Sequence, residues 1–293
     1  MKQIQAQTIR VNGVELAYFE RGERRNGRPT LLFVHATGFH GRVWDRIIES
    51  FPGYHALALE LRGHGRSEKV PIRHWREVGE DIAAFAKALQ LTDLIGIGHS
   101  MGAHGLVDGA AIGGAFARLI LLDPVIAAPD AYDDPTPLAA AGVHPASKRR
   151  NHFSSVDEMI ERLLPKSSFG LFEARILDDY CRYGLLPAPG GGYVLACPPD
   201  IEASVYMTAR TNGAIYDSVR SLQIPVTIMR AQIRTAEGTE PDFSTSPTWP
   251  GLVREFSHGR ELHLEGCSHF IPMQVPDDVV AVIAEELAQW SPA

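Results

Sequence analysis

The sequence predicts an α/β protein, a mainly parallel sheet with helices on both faces and a helical segment inserted late in the chain. Three observations carry this. Short apolar runs alternate with amphipathic segments along most of the 293 residues. The apolar runs are too uniformly hydrophobic to face water on either side, as strands buried between two helical layers are. The alternation stops between about Ile126 and Leu222 and then resumes. A strand, helix, strand order puts helices on both faces of a parallel sheet.

In chain order, TIRV (8–11) and VELAYFE (14–20) flank Asn12-Gly13, a dipeptide suited to a two-residue hairpin, so two antiparallel strands are expected first. TLLFVHA (30–36), YHALALEL (54–61), DLIGIGHS (93–100), RLILLD (118–123) and IPVTIMRA (224–231) read as buried strands. Between them, Val78, Ile82, Phe85 and Leu89 share one helical face, as do Val279, Ile283, Leu287 and Trp290 after the starting Pro276. The break divides the chain into a core domain, 1–125 and 223–293, and a cap, 126–222. In the cap, SSVDEMIERLLP, FGLFEARILDDYCRYG and DIEASVYMTARTNG are expected helices, with a Gly-rich APGGGYVLACPP between the last two. Most of its aromatic and Met side chains (Phe153, Phe169, Phe172, Tyr180, Tyr183, Tyr206, Met207) are expected in its core, a few facing a ligand.

Composition narrows the function. With 45% apolar and 22% charged residues the chain can bury a large core. A net charge of -7 gives no footprint for nucleic acid or an anionic membrane surface, which leaves a small molecule as the expected partner and a homodimer open. Cys181, Cys197 and Cys267 are too few and too scattered for a disulfide framework or a Cys-based zinc site, so free thiols in a reducing compartment are expected. With no apolar leader and no run long enough to span a bilayer, a cytoplasmic protein is expected. No His-Glu-x-x-His pattern, paired-Cys spacing or cofactor-binding glycine fingerprint appears, so neither metal nor cofactor is expected.

GIGHSMGAHG (96–105) ends an apolar run with one serine between two glycines. At the carboxyl edge of a parallel sheet, where ligands bind, Gly-x-Ser-x-Gly makes a strained strand-to-helix turn. A Cβ on Gly98 or Gly102 would collide with the neighbouring strand or helix. The turn holds the Ser100 hydroxyl out as a nucleophile and points the Met101 amide, at the helix start, toward an oxyanion. A serine needs a base, and of the twelve histidines His269 in LEGCSHFIPMQVP follows a short strand and precedes the last helix, at the same sheet edge. His64, His74, His104 and His152 have structural explanations, and the turn geometry points His99 away from the nucleophile. Arg149-Arg150 reads as a solvated face of the cap.

These residues resemble the α/β-hydrolase fold family. LLFVHATGFHGRVWD is similar to its His-Gly-type loop, with Ala36 for the usual glycine, and LELRGHGRS to its Asp-x-Arg-Gly-His-Gly-x-Ser turn, with Glu60 for Asp. GHSMG resembles its nucleophile elbow and GCSHFIP its histidine loop; the HATGFHG variant looks like a subgroup of general hydrolases. The resemblance implies a helical cap between strands 6 and 7, a second oxyanion amide at Thr37, and an acid between Ser100 and His269 in chain order. The family's usual acid position, after IPVTIMRA, holds Gln232 and Arg234. Asp123, which ends LILLD, is therefore the expected acid, with Glu237, Glu240 and Asp242 as alternatives. Phe39, His40 and His99 are expected to line the substrate pocket. The implied activity is that of a serine esterase on a small to mid-sized, partly apolar ester, lactone or thioester. Amide or carbon-carbon cleavage on the same triad, and a ligand receptor with little turnover, are the rival readings.

Overall fold

The computed structural model describes residues 4–133, 144–166, 168–232 and 243–291. The chain opens with β1 (Gln7–Val11) and β2 (Val14–Arg21), an antiparallel hairpin in which Val11 faces Val14 across Asn12 and Gly13. Both turn residues have positive φ, 47° and 75°, a conformation that Asn and Gly adopt at low cost and that matches the twist of the strands. Then come β3 (Thr30–Val34), α1 (Asp45–Ile48), β4 (His55–Glu60), α2 (Arg76–Ala88), β5 (Leu94–His99), α3 (Met101–Gly113) and β6 (Phe116–Leu122). The chain next leaves the sheet for β7 (His152–Phe153), α4 (Val156–Leu163), α5 (Ala174–Tyr183), β8 (Leu185–Pro187), β9 (Tyr193–Leu195), α6 (Pro199–Met207) and α7 (Ile215–Ser221). It returns with β10 (Val226–Arg230), β11 (Gly259–His263), α8 (Ile271–Gln274) and α9 (Pro276–Ala288).

The eight-stranded sheet runs β1-β2-β4-β3-β5-β6-β10-β11 and is parallel from β4 onward. Its register aligns the carboxyl ends: Val34 lies beside Gly98, His99 beside Leu122, and Leu122 beside Met229. Residues that follow β3, β5 and β6 therefore emerge side by side at one edge. Val78, Ile82 and Phe85 of α2 and Leu106 and Val107 of α3 are buried with Leu32, Leu57 and Leu119 in one core cluster. Ile47 of α1 and Val279 and Ile283 of α9 are buried with Phe33, Ile95 and Ile120 in the other. The two helical layers that uniformly apolar strands require are both present.

The intervening segment is not helical throughout. β7, β9 and β8 form a small antiparallel sheet, and the Gly-rich stretch closes the β8–β9 hairpin through Ala188 N–H to Gly192 O at 3.0 Å. Strands of two or three residues are too short to show period-2 alternation, so a helix-or-loop reading is what the sequence yields there. α4 begins as expected: Ser155 Oγ accepts from Glu158 N–H at 3.1 Å, and Glu158 Oε2 accepts from Ser154 N–H at 2.7 Å. Ile215 and Val219 of α7 share the core cluster of α3, and Asp108 on α3 accepts from Ser218 Oγ and Asn212 Nδ2, each at 2.6 Å. Among the described residues no helix is long and apolar enough to cross a membrane.

Candidate active site

One residue separates β5 from α3. Ser100 makes the turn with φ 57° and ψ −118°, a region costly for a residue with a Cβ. The packing around it explains both glycines. A Cβ on Gly98 would lie 2.7 Å from Leu106 Cδ1 and 2.8 Å from Ala103 N, and one on Gly102 would lie 2.5 Å from the carbonyl oxygens of both Val34 and His35. The first turn of α3 is thus pressed against β3, with the serine at its tip.

His269 lies between β11 and α8. Its Nε2 is 3.0 Å from Ser100 Oγ and its Nδ1 is 2.6 Å from Asp123 Oδ2. Asp123 follows β6 with φ 48° and is fully buried. Its Oδ1 accepts from Ala231 N–H at 3.0 Å, Ser246 Oγ at 2.5 Å and Thr248 Oγ1 at 3.2 Å. Those donors and the imidazole offset the desolvation of a buried carboxylate. An acceptor-only partner places the ring proton on Nδ1 and leaves Nε2 bare toward Ser100. Gln232, in the family's usual acid position, donates to Ser244 O at 2.6 Å. Arg234, Glu237, Glu240 and Asp242 lie outside the described residues.

Thr37 lies against the elbow, its Oγ1 3.7 Å from Met101 Sδ. Among the described residues neither the Thr37 nor the Met101 amide has a protein acceptor. Two unused donors beside a nucleophile are what a developing oxyanion needs. His35 holds this loop: Nδ1–H donates to Ala36 O at 2.8 Å and Nε2 accepts from Leu61 N–H at 3.1 Å. Ala36 is buried inside the turn closed by Phe39 N–H to Ala36 O. Glu60, fully buried, accepts from Gly41 N–H at 3.3 Å, Arg66 N–H at 2.5 Å and Arg66 Nη1 at 3.0 Å. A glutamate thereby ties the 61–67 turn to the chain just beyond the Thr37 loop.

Above Ser100 lies a cavity of about 490 Å³ whose wall includes Thr37, Phe39, Trp75, Val125, Phe169, Phe270 and His269. Of the three residues expected to line the substrate pocket, Phe39 is part of that wall and His40 and His99 are not. His99 lies on the same face of β5 as the buried Ile95 and Ile97 and so points into the core beneath the sheet edge. There its Nε2–H donates to the His269 carbonyl at 2.8 Å, steadying the histidine loop from behind. His40 is buried with Nε2 3.0 Å from Tyr180 O. Arg149 also departs from expectation: it lines the cavity and pairs with Glu202, while Arg150 lies over the Phe153 ring and pairs with Glu158. Ser246, Thr248 and Glu202 were missed because a polar residue that supports a buried carboxylate, or pairs with a cation, in a cavity wall carries no local pattern.

The buried imidazoles make the fold acid-sensitive. Burial holds His35 and His99 well below the ordinary histidine value of 6.5, lowers His104, and pushes His40 down to about 3 and His64 to about 4. Unfolding lets each take up a proton near pH 6.5, so their stabilising effect is complete above that pH and is lost as pH falls toward 3 to 4. The melting temperature is expected to decline from pH 6.5 downward in calorimetric scans. A constant value down to pH 4 would contradict neutral buried imidazoles.

A serine held at a strand-to-helix elbow, facing a histidine that rests on a buried carboxylate across the edge of a parallel sheet, defines a hydrolase of the α/β class. The chain matches the alpha/beta hydrolase family over residues 31–282 and belongs to it. Lipase LipV of Mycobacterium tuberculosis is 23% identical over 282 residues, 89% of this chain and 94% of that protein. A non-heme chloroperoxidase of Streptomyces lividans is 31% identical over 135 residues, 43% of this chain and 48% of its own length. Among solved structures, that of E-2-(acetamidomethylene)succinate hydrolase superposes with a TM-score of 0.75 at 18% identity, covering 97% of this chain and 98% of the other. That likeness is one of fold.

Proposed function

We propose that this hydrolase cleaves a carboxylic ester, lactone or thioester of a small to mid-sized, partly apolar molecule through an acyl-enzyme on Ser100. The observation that carries this is the relay of 3.0 Å from Ser100 Oγ to His269 Nε2 and 2.6 Å from His269 Nδ1 to Asp123. His269 takes the hydroxyl proton as Oγ attacks the carbonyl carbon, and the Thr37 and Met101 amides bind the oxyanion. As the tetrahedral adduct collapses, His269–H gives that proton to the leaving oxygen or sulfur. Water, deprotonated by the same imidazole, then releases the acid and restores Ser100. Asp123 keeps the ring in the required tautomer and stabilises its charged form. Residues 126–222 are read as the cap, since Arg149, Phe169, Tyr180 and Tyr206 from that segment line the cavity together with Ser100 and His269. The lipase relative and the aromatic lining support a partly apolar ester.

Exposure to a fluorophosphonate, followed by intact-mass measurement and peptide mapping, tests the reading. One adduct on Ser100 is expected, absent from Ser100→Ala. A folded protein that stays unlabelled overturns it.

A further inference from the structure

Among the described residues that line the cavity, Arg149, Lys166 and Arg210 are cationic and Glu202 alone is anionic, against a net charge of -7 for the whole chain. Arg149 pairs with Glu202 through Nη1 and lines the cavity together with Tyr180, and its Nη1 stands 3.5 Å from the Cβ position of Gly38, the residue after Thr37. Both side chains line the cavity, that of Glu202 only 6% exposed and that of Arg149 30% exposed, so the guanidinium presents the larger accessible surface.

A guanidinium carries five N–H donors in one plane, more than the pairing of Nη1 with Glu202 uses. Among the described residues, neither Lys166 nor Arg210 has a carboxylate within the 4.0 Å of an ion pair. Burial, then the charges of Arg149 and Arg162, lower the Lys166 pKa, as expected where cations approach without an anion among them. Like charges gathered among the described lining residues favour the entry of an anion. The phenyl faces of Phe39, Phe169 and Phe270 leave such an anion one polar end to occupy.

We propose that the acyl substrate carries a carboxylate a few bonds from its scissile carbonyl, that Arg149 binds it through its remaining N–H donors, and that Lys166 and Arg210 draw it into the cavity. A planar two-oxygen anion fits the guanidinium fork. The assignment rests on the Ser100 reading above, and Arg149 sets specificity without entering the chemistry.

The test compares monoethyl succinate with ethyl 4-methylpentanoate, an ester of the same shape in which two methyl groups replace the carboxylate oxygens, by proton release at constant pH. In the wild type kcat/KM is expected to favour the anionic ester by about tenfold or more at low salt, as one charge-assisted pair supplies, and the ratio should shrink as salt screens the cations. Arg149→Met alone would strand a buried carboxylate, so the informative variant is Arg149→Met with Glu202→Gln, in which the ratio should fall to near one. A wild-type ratio of one or less, or an unchanged ratio in the double variant, overturns the proposal even with Ser100 still labelled by fluorophosphonate. Calorimetric binding of the two esters to Ser100→Ala reads the same preference without turnover. Tighter binding of the anionic ester upholds the carboxylate site even if the serine chemistry proves wrong; equal binding refutes it.

Discussion

Asp123→Asn is expected to lower kcat on an ester substrate by about 10⁴ while the protein stays folded, the scale that carboxamide replacement of a triad acid produces elsewhere. The reason lies in the hydrogen bonds. Oδ1 of the new side chain still accepts from Ala231, Ser246 and Thr248, which hold it at 3.0, 2.5 and 3.2 Å in the wild type. That leaves the amide NH₂ facing His269 Nδ1. Nδ1 must then accept, so the ring proton moves to Nε2, where it meets Ser100 Oγ and the base is blocked. Retained turnover in Asp123→Asn, with the loss appearing instead in Glu240→Gln or Asp242→Asn, would move the acid to another part of the chain.

Gly102→Ala is expected to damage fold and activity together. Its Cβ would sit 2.5 Å from two backbone carbonyl oxygens and 2.7 Å from Val34 C, and strand backbone cannot yield as a side-chain tip does. Overpacking of this kind costs about 1–3 kcal/mol or more. Relief requires α3 to lift from β3, which separates the Met101 amide from Thr37 and tilts Ser100. A lower unfolding midpoint in urea with ester turnover near background is the expected result. Wild-type turnover would mean that the close approach is dispensable. Gly113→Ala is the control: its Cβ would meet Ala83 Cβ at 3.3 Å, a side-chain contact at the far end of the same helix.

How much of this was legible beforehand follows from the kind of interaction involved. Local, periodic signals are legible in the sequence: the Asn12-Gly13 hairpin, the apolar strands, the amphipathic faces of α2 and α9, and the turn at Ser100 each follow from sterics or burial within a few residues. His269 was legible because its segment had to end at the same sheet edge. The short strands of the insert are not, because two or three residues carry no periodicity, and β7 pairs with a strand far along the chain, His152 with Val194. Side-chain direction at element ends was also out of reach. His99 and His40 sit beside the site in sequence and behind its wall in space, and Arg149 entered the cavity because Glu202, 53 residues later, holds it there.

By itself the sequence determined the strand and helix order, the glycine-flanked serine and the chain order of serine, acid and histidine, since these depend on backbone sterics and short-range hydrophobic pattern. Only the tertiary structure decided which carboxylate meets His269, which amides stay free for an oxyanion, and which charges face the cavity. Each of those depends on side chains from distant segments converging on one buried point, where desolvation makes every donor, acceptor and charge find a partner.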